Sequence, residues 1–137
     1  MAISVFPAPA AGKVRQLITL LSGTSWTVPA TVTFINVTLV GAGNGTYSTV
    51  GGNHGQTMKS LVATTPGASI TYAIGAGGNV GNAGAAGSTT MTGATTAAGG
   101  NTGNGGAVLQ GILADNGALM NSGVIGGAGS IEIEYWI

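Results

Sequence analysis

The stretch TVTFINVTLVGAGNG, residues 31–45, decides the fold of this chain. Its first ten residues are rich in β-branched side chains, and Ile35, Val37 and Leu39 alternate with polar neighbours. Such alternation predicts a strand with one face in an apolar core and the other facing outward. The strand runs directly into a loop, residues 41–55, that contains six glycines. The chain is therefore expected to consist of half-buried strands joined by long glycine-rich loops.

Three further strands are predicted around this one. Residues 14–21 are mostly apolar and end at turn residues, SWTVP (25–29) ends at a proline, and SIEIEYWI (130–137) alternates without interruption. The alternation of the last strand places its isoleucines and Tyr135 on one face and its glutamates and Trp136 on the other. The predicted core residues are Ile35, Val37, Leu39, Ile70, Ile131, Ile133 and Tyr135.

A hairpin is predicted where MKSLVAT (58–64) and SITYAI (69–74) flank Pro66 and Gly67. Proline fixes φ at the first central position of a type II turn, and glycine accepts the positive φ of the second. We expect the two flanking segments to pair with each other across this turn.

Residues 75–129 differ from the rest of the chain, because they hold 18 of its 27 glycines. Two strand-like pieces, STTMT (88–92) and ATTAA (94–98), interrupt the tract, and AVLQGILA (107–114) is its one run of larger apolar residues. Gly111 weakens that run as a helix. The sequence as a whole predicts an all-β fold.

The charge of the chain excludes several classes of partner. Only 4% of the 137 residues are charged, against about 25% in ordinary globular proteins, and the charges sum to zero. Such a surface has no field to attract nucleic acid or anionic lipid, and no apolar run approaches the roughly 20 residues of a membrane helix. We expect no nucleic-acid partner and no membrane insertion. Since a net charge near zero favours self-association, we expect a homo-oligomer.

Two motifs that resemble cofactor sites each lack a required residue. LVGAGNG (39–45) resembles a dinucleotide fingerprint, but Thr46 stands where the third glycine is needed, and a loop follows instead of a helix. Lys59 and Ser60 resemble the end of a phosphate-binding loop, but Met58 stands where glycine is required. The sequence predicts no cofactor.

The titratable side chains offer no catalytic set either. His54 is the single histidine and lies in a Gly/Asn loop. Glu132 and Glu134 could form a carboxylate pair, but nothing in the sequence sets their environments apart as acid–base catalysis requires, which favours a solvated strand face. The absence of cysteine excludes disulfides, thiolate metal ligands and a cysteine nucleophile. We therefore expect a protein that is not an enzyme and binds no metal.

Two parts of the chain are candidates for contacts with other molecules. Residues 1–12 hold two of the four prolines, which predicts an extended arm that docks on a neighbouring protein, and a disordered tail is the alternative. Residues 1–24 then form an arm with the first strand, and 25–137 form the domain. Tyr47 lies among Gly, Asn, Ser and Thr, the composition of an adaptable recognition loop, although packing within the loop is the alternative. The candidate contact residues of the loops are Asn44, Tyr47, Asn53, His54, Asn79 and Asn82.

Four pieces of the sequence, taken in order, resemble one known family. They are WTVPATVTFINVTLVGAGNG (26–45), MKSLVATTPGASITYAIGAGG (58–78), GSTTMTGATTAAGG (87–100) and GGAGSIEIEYWI (126–137). The glycine-rich domains of tail-fibre and tail-tip proteins of tailed bacteriophages show similar pieces in this order. The resemblance covers residues 25–137, with TTM at 89–91 in place of the family's TSF.

The resemblance implies a fold, an assembly and a place of action. The fold is a β-sandwich, jelly-roll-like, with glycine-rich loops at one end, and runs such as GAGGNVGNAGAAG (75–87) allow short polyglycine II segments. The assembly is a homotrimer on the virion, made in the host cytoplasm, whose loops contact a bacterial surface receptor. A purely structural virion subunit of the baseplate, tail tip or capsid surface is the alternative. The arm residues expected to contact other tail proteins are Phe6, Pro7 and Pro9.

Overall fold

The computed structural model describes residues 12–45, 53–79, 86–100 and 126–137, which form two antiparallel β-sheets and contain no helix. The four-stranded sheet has the order β1-β7-β3-β4, and the three-stranded sheet has the order β2-β5-β6. The strands are β1 Arg15–Leu20, β2 Ser25–Thr27, β3 Phe34–Val40, β4 Thr57–Ala63, β5 Ser69–Ala73, β6 Thr90–Met91 and β7 Ser130–Trp136. The predicted all-β sandwich is confirmed. The described ranges contain no helix long and apolar enough to cross a membrane.

The core lies between the two sheets and is built around β3 and β7. These central strands pair with Val37 beside Ile133 and Leu39 beside Ile131, and all four side chains are buried. Ile35 and Tyr135 are buried as predicted, whereas Ile70 is half-buried against the edge of the core. Period-two alternation therefore identified the inner face of both strands.

Aromatic side chains join the two sheets across this core. The rings of Trp26, in the three-stranded sheet, and Tyr135, in the four-stranded sheet, lie 5.7 Å apart between centroids and are tilted by 51°. Such tilted pairs add about 0.5–1.5 kcal/mol to the area that they bury. Tyr72 reaches the end of the sandwich, where its hydroxyl donates to the carbonyl of Ser22 over 2.8 Å.

The predicted hairpin of residues 58–64 with 69–74 is wrong, although its turn is present. The amide of Ala68 donates to the carbonyl of Thr65 over 3.0 Å, and Gly67 has a φ of 77°, as a type II turn requires. The strands that it joins lie in different sheets, since β4 pairs with β3 and β5 pairs with β2. The turn therefore carries the chain across the sandwich instead of closing a ladder.

Candidate functional site

Six segments of the chain meet at the end of the sandwich where β3 finishes. We call them together the glycine bundle. They are residues 41–45, 53–56, 75–79, 86–87, 98–100 and 126–129. Residues 41–45, which continue β3, are all buried, so this segment is the axis around which the others pack.

The backbone amides of the first three residues of the central segment donate to three different neighbouring segments, and the fourth amide donates to the first of these again. The pairs are Gly41 to Gln56, Ala42 to Gly87, Gly43 to Gly127 and Asn44 to Asn53, with N···O distances of 2.8, 3.1, 2.9 and 3.1 Å. The first and fourth amides reach the same neighbouring segment, so the direction repeats after three residues. A three-residue repeat is that of the polyproline II helix, which glycine adopts as polyglycine II.

The central segment also accepts hydrogen bonds, and these complete its contacts with all five neighbours. The carbonyl of Ala42 accepts from Gly100 over 2.8 Å, and that of Gly43 accepts from Gly78 over 2.9 Å. A strand in a flat sheet has two neighbours, whereas this segment has five. The bundle is therefore a lattice of extended segments held together by backbone groups.

The same repeat occurs in a second pair of segments. The carbonyls of Gly75 and Gly78, three residues apart, accept from Gly129 and Gly126, each over 2.9 Å. This regular pattern of hydrogen bonds has the three-residue repeat of the polyglycine II segments that the sequence allowed. The pattern extends beyond residues 75–87, because it includes the end of β3 and the start of the last strand.

Glycine is needed in this bundle because the segments approach each other closely. A methyl group at Gly41 would overlap the carbonyl group of Ala98, and one at Gly126 would overlap that of Gly43. Segments this close leave no room for a Cβ between them, so the spacing of the lattice is set by backbone atoms alone.

A buried threonine joins the bundle to the sandwich. Thr89 is fully buried, and its hydroxyl donates to the carbonyl of Val40 over 2.7 Å and accepts from the amide of Gly75 over 3.1 Å. Its own amide and carbonyl pair with Ala97 over 2.9 and 3.0 Å. The sequence identified Thr89 only as part of a short strand, because both partners of its hydroxyl are distant in the chain.

Three connections of the chain begin and finish at the outer end of the bundle. The chain leaves the described ranges after Gly45, Asn79 and Gly100, and returns at Asn53, Ala86 and Gly126. These ends lie together, because Asn44 bonds to Asn53, Gly78 to both Gly43 and Gly126, and Gly100 to both Ala42 and Ala86. The described residues that bound the connections 46–52, 80–85 and 101–125 therefore lie together at one end of the molecule.

The predicted contact residues differ in how the structure places them. Asn44 is only 2% exposed, and its side-chain oxygen accepts a hydrogen bond from the amide of Asn53, which links the two ends of one connection. Asn53 and His54 are half-buried, and Asn79 is exposed with its backbone against Gly45. Tyr47 and Asn82, like the arm residues Phe6, Pro7 and Pro9, lie outside the described residues.

The chemistry that this end presents is neutral. Within the described residues of the bundle, His54 is the one titratable side chain, and the described part of the chain holds no group of three His, Asp or Glu side chains that could bind a metal ion. The other polar groups of these segments are the side-chain amides of Asn and Gln and the backbone amides and carbonyls. These can form hydrogen bonds with a partner but cannot attract one over a long distance.

The sequence of this chain matches a known protein family. Residues 19–135 match the model of a family described as a glycine-rich domain. The matched range begins in β1, ends in β7 and contains every segment of the glycine bundle. No curated protein matches the chain.

Proposed function

We propose that this chain, which belongs to the glycine-rich domain family, is a virion protein of a tailed bacteriophage, located in the tail fibre or tail tip. It attaches the particle to the host surface through the outer end of the glycine bundle. The observation that supports this most is the convergence of three connections at one end of a rigid, backbone-bonded scaffold. Binding residues are commonly found on loops that such a scaffold positions.

The bundle also leaves the connections able to vary. The hydrogen bonds that hold its described segments join backbone groups, so changes of side chains elsewhere in the chain leave those bonding groups in place. The first of these connections contains Tyr47 among Gly, Ser and Thr, a composition that supplies a rigid aromatic contact with adaptable polar groups around it. We assign host recognition to these connections together with Asn53, His54 and Asn79.

Because the site carries little charge, the proposal predicts that binding depends only weakly on salt concentration. Attraction between charged partners weakens as salt is added, because the Debye length falls from about 10 Å at 0.1 M to about 3 Å at 1 M. The residues assigned to recognition include one acidic side chain, Asp115, and one histidine, His54, so this component is small. We therefore expect binding of the purified chain to bacteria to change less than twofold between 0.05 M and 0.5 M NaCl, as measured with fluorescently labelled protein.

The location and the site are tested with the full-length chain. Mass spectrometry of purified virions should detect the protein, and gold-labelled antibodies should mark the tail. The Asn79→Lys variant should then reduce binding of the labelled chain to the bacterial strain on which the phage grows by at least about tenfold, since a buried unpaired charge at a contact costs more than about 1.4 kcal/mol.

Thr65→Lys provides the matched control, because Thr65 is exposed in the turn at the opposite end of β4. This variant should bind as the wild type does. Virions that contain the protein but a purified chain that does not bind bacteria would support the purely structural virion subunit instead. Absence from virions would contradict both versions.

Self-association is part of the same proposal. The neutral composition favours it, and six large apolar side chains of the described residues are about half exposed or more, namely Val14, Leu17, Leu21, Phe34, Leu61 and Ile137. All six lie in the four-stranded sheet or directly beside its strands. Three-fold assembly, which the resemblance implies, remains a prediction for the virion.

A further inference from the structure

The strand β1 forms an edge of the four-stranded sheet, and no second described strand pairs with its outer side. Val14 and Ile137 exchange two backbone hydrogen bonds of 2.7 and 3.0 Å just before β1 begins. Such pairs recur at every second residue of an antiparallel ladder, so Gln16, Ile18 and Leu20 also bond to β7. The amides and carbonyls of Arg15, Leu17 and Thr19 therefore point away from the sheet.

The side chains along this edge are apolar and exposed. Leu17 lies at the centre of β1 and is 50% exposed, Val14 and Leu21 flank the strand at 60% and 67%, and Ile137 lies beside Val14 at 47%. Four of the six exposed large apolar residues in the described ranges thus belong to one edge. Open backbone groups and apolar side chains coincide there, and each favours contact with another strand.

The other edges of the described sheets are covered or short. Beside β4, the amide of Thr95 donates to the hydroxyl of Ser60 over 3.0 Å, and that of Gln56 to the carbonyl of Ala98 over 2.8 Å. In the second sheet, the edge strands β2 and β6 contain three and two residues. Among the described strands, β1 is therefore the long open edge.

The features that usually protect an edge strand from pairing are missing from β1. Its sequence RQLITL contains no proline and no lysine. Its one charge, Arg15, is paired with Glu134 of β7, whose carboxylate also accepts a hydrogen bond from the side chain of Asn36 over 3.3 Å. The side chain of Arg15 is 59% exposed, so this ion pair weakens the repulsion that an approaching strand meets without removing the charge.

We propose that β1 pairs with β1 of a second copy of this chain, antiparallel and about a two-fold axis at Leu17, so that two four-stranded sheets become one sheet of eight strands. The inference rests on the self-association in the proposed function and names the surface of one two-fold contact within it, which joins either two single chains or two three-fold assemblies. This register places Leu17 opposite the partner's Leu17 and Arg15 opposite the partner's Thr19. Parallel pairing would instead set the two arginines side by side, which like charges disfavour.

Charge substitutions at Leu17 test the pairing with a matched control. Leu17→Lys and Leu17→Glu should each halve the mass measured by light scattering, because like charges then face each other across the axis. An equimolar mixture of the two variants should recover the full mass. Leu61→Lys makes the same change on an exposed leucine of β4, whose edge is covered, and should leave the mass unchanged.

Amide exchange tests the backbone pairing without any substitution. In the separated chain the amides of Arg15, Leu17 and Thr19 should exchange fast, while those of Gln16, Ile18 and Leu20 are protected. Raising the concentration of the wild-type chain should protect the first three by at least tenfold. Fast exchange of these three amides at every concentration would overturn the inference.

The outcomes separate this inference from the proposed function. A wild-type trimer whose mass is unaffected by Leu17→Lys would overturn β1 pairing and leave self-association standing. A wild-type monomer at micromolar concentration would overturn both. A dimer that becomes a monomer, or a hexamer that becomes a trimer, would support the pairing.

Discussion

At the scale of single residues, Thr89 connects the two halves of the molecule. Its hydroxyl bonds to the last residue of β3 and to the first glycine of the segment 75–79, while its backbone pairs with Ala97. The sequence could place Thr89 in a strand because of its β-branched neighbours. It could not identify the role of the hydroxyl, since nothing local indicates partners 49 and 14 residues away.

Replacing Thr89 by valine keeps the shape of the side chain and removes both hydrogen bonds. The buried carbonyl of Val40 and the amide of Gly75 would then lack partners, at about 1–3 kcal/mol for each such group. We expect Thr89→Val to lower the free energy of unfolding by roughly 2–4 kcal/mol in urea.

Thr92→Val is the control for this substitution. The hydroxyl of Thr92 pairs with that of Thr71 over 2.9 Å on the exposed surface, so its loss should change stability by less than about 0.5 kcal/mol. Equal effects of the two variants would show that Thr89 contributes only as a β-branched residue.

At the scale of elements, the sequence identified strands better than their partners. Alternation gave the buried faces of β3 and β7, and Pro66 with Gly67 gave the turn. The pairing of β4 with β3 instead of β5 depends on contacts outside the hairpin, where Thr64 bonds to Thr33 over 2.8 Å and Val28 to Ala68 over 2.9 Å. The residues of a turn determine that the chain reverses direction, but they do not determine which strands the two flanking segments pair with.

The glycine bundle shows the same limit on prediction from sequence. Composition indicated glycine-rich loops, which permit close approach of the backbone. The resemblance to the phage domains implied that these loops lie at one end and allowed polyglycine II segments. It could not indicate that segment 41–45 would be the axis, or which segments would surround it. That arrangement depends on hydrogen bonds between residues as far apart as Gly43 and Gly127.

Two glycine-to-alanine substitutions separate the two reasons for glycine in this chain. At Gly41 the added methyl group overlaps the backbone of Ala98, which cannot move without disturbing the bundle, so we expect a loss of about 3 kcal/mol or more. At Gly67 the methyl group meets no atom within 4 Å, and only the positive φ of 77° opposes it, at about 1–2 kcal/mol.

Urea unfolding at one fixed protein concentration measures both variants, since self-association also contributes to stability. The order of the two effects is the test. A Gly67→Ala variant that is destabilised more than Gly41→Ala would show that close packing in the bundle is not what requires glycine.

At the scale of the whole molecule, the arm and the domain should have separable roles. The ladder that holds β1 begins with Val14 and Ile137, so removal of residues 1–11 leaves every described strand intact. We expect this deletion to unfold within about 2 °C of the full chain, since no described strand is lost. We expect the same protein to be missing from assembled particles, because Phe6, Pro7 and Pro9 are the predicted contacts with other tail proteins.

Immunoblots of purified virions measure this incorporation. The Asn79→Lys variant is the complementary control, because it alters the outer end of the bundle and should still enter particles at the normal level. Normal incorporation of the deletion would refute the role assigned to the arm.

The three-residue repeat of the glycine bundle has a consequence for how such proteins change over generations. Because the bundle is held by backbone groups, a further glycine-rich segment can add to its outside through the same kind of hydrogen bond. A lineage can enlarge the bundle by inserting a segment that runs out and back, without redesigning a side-chain core. The glycine bundle then grows by whole segments while the residues at its outer end change, so the fold and the surface that binds a partner depend on different residues.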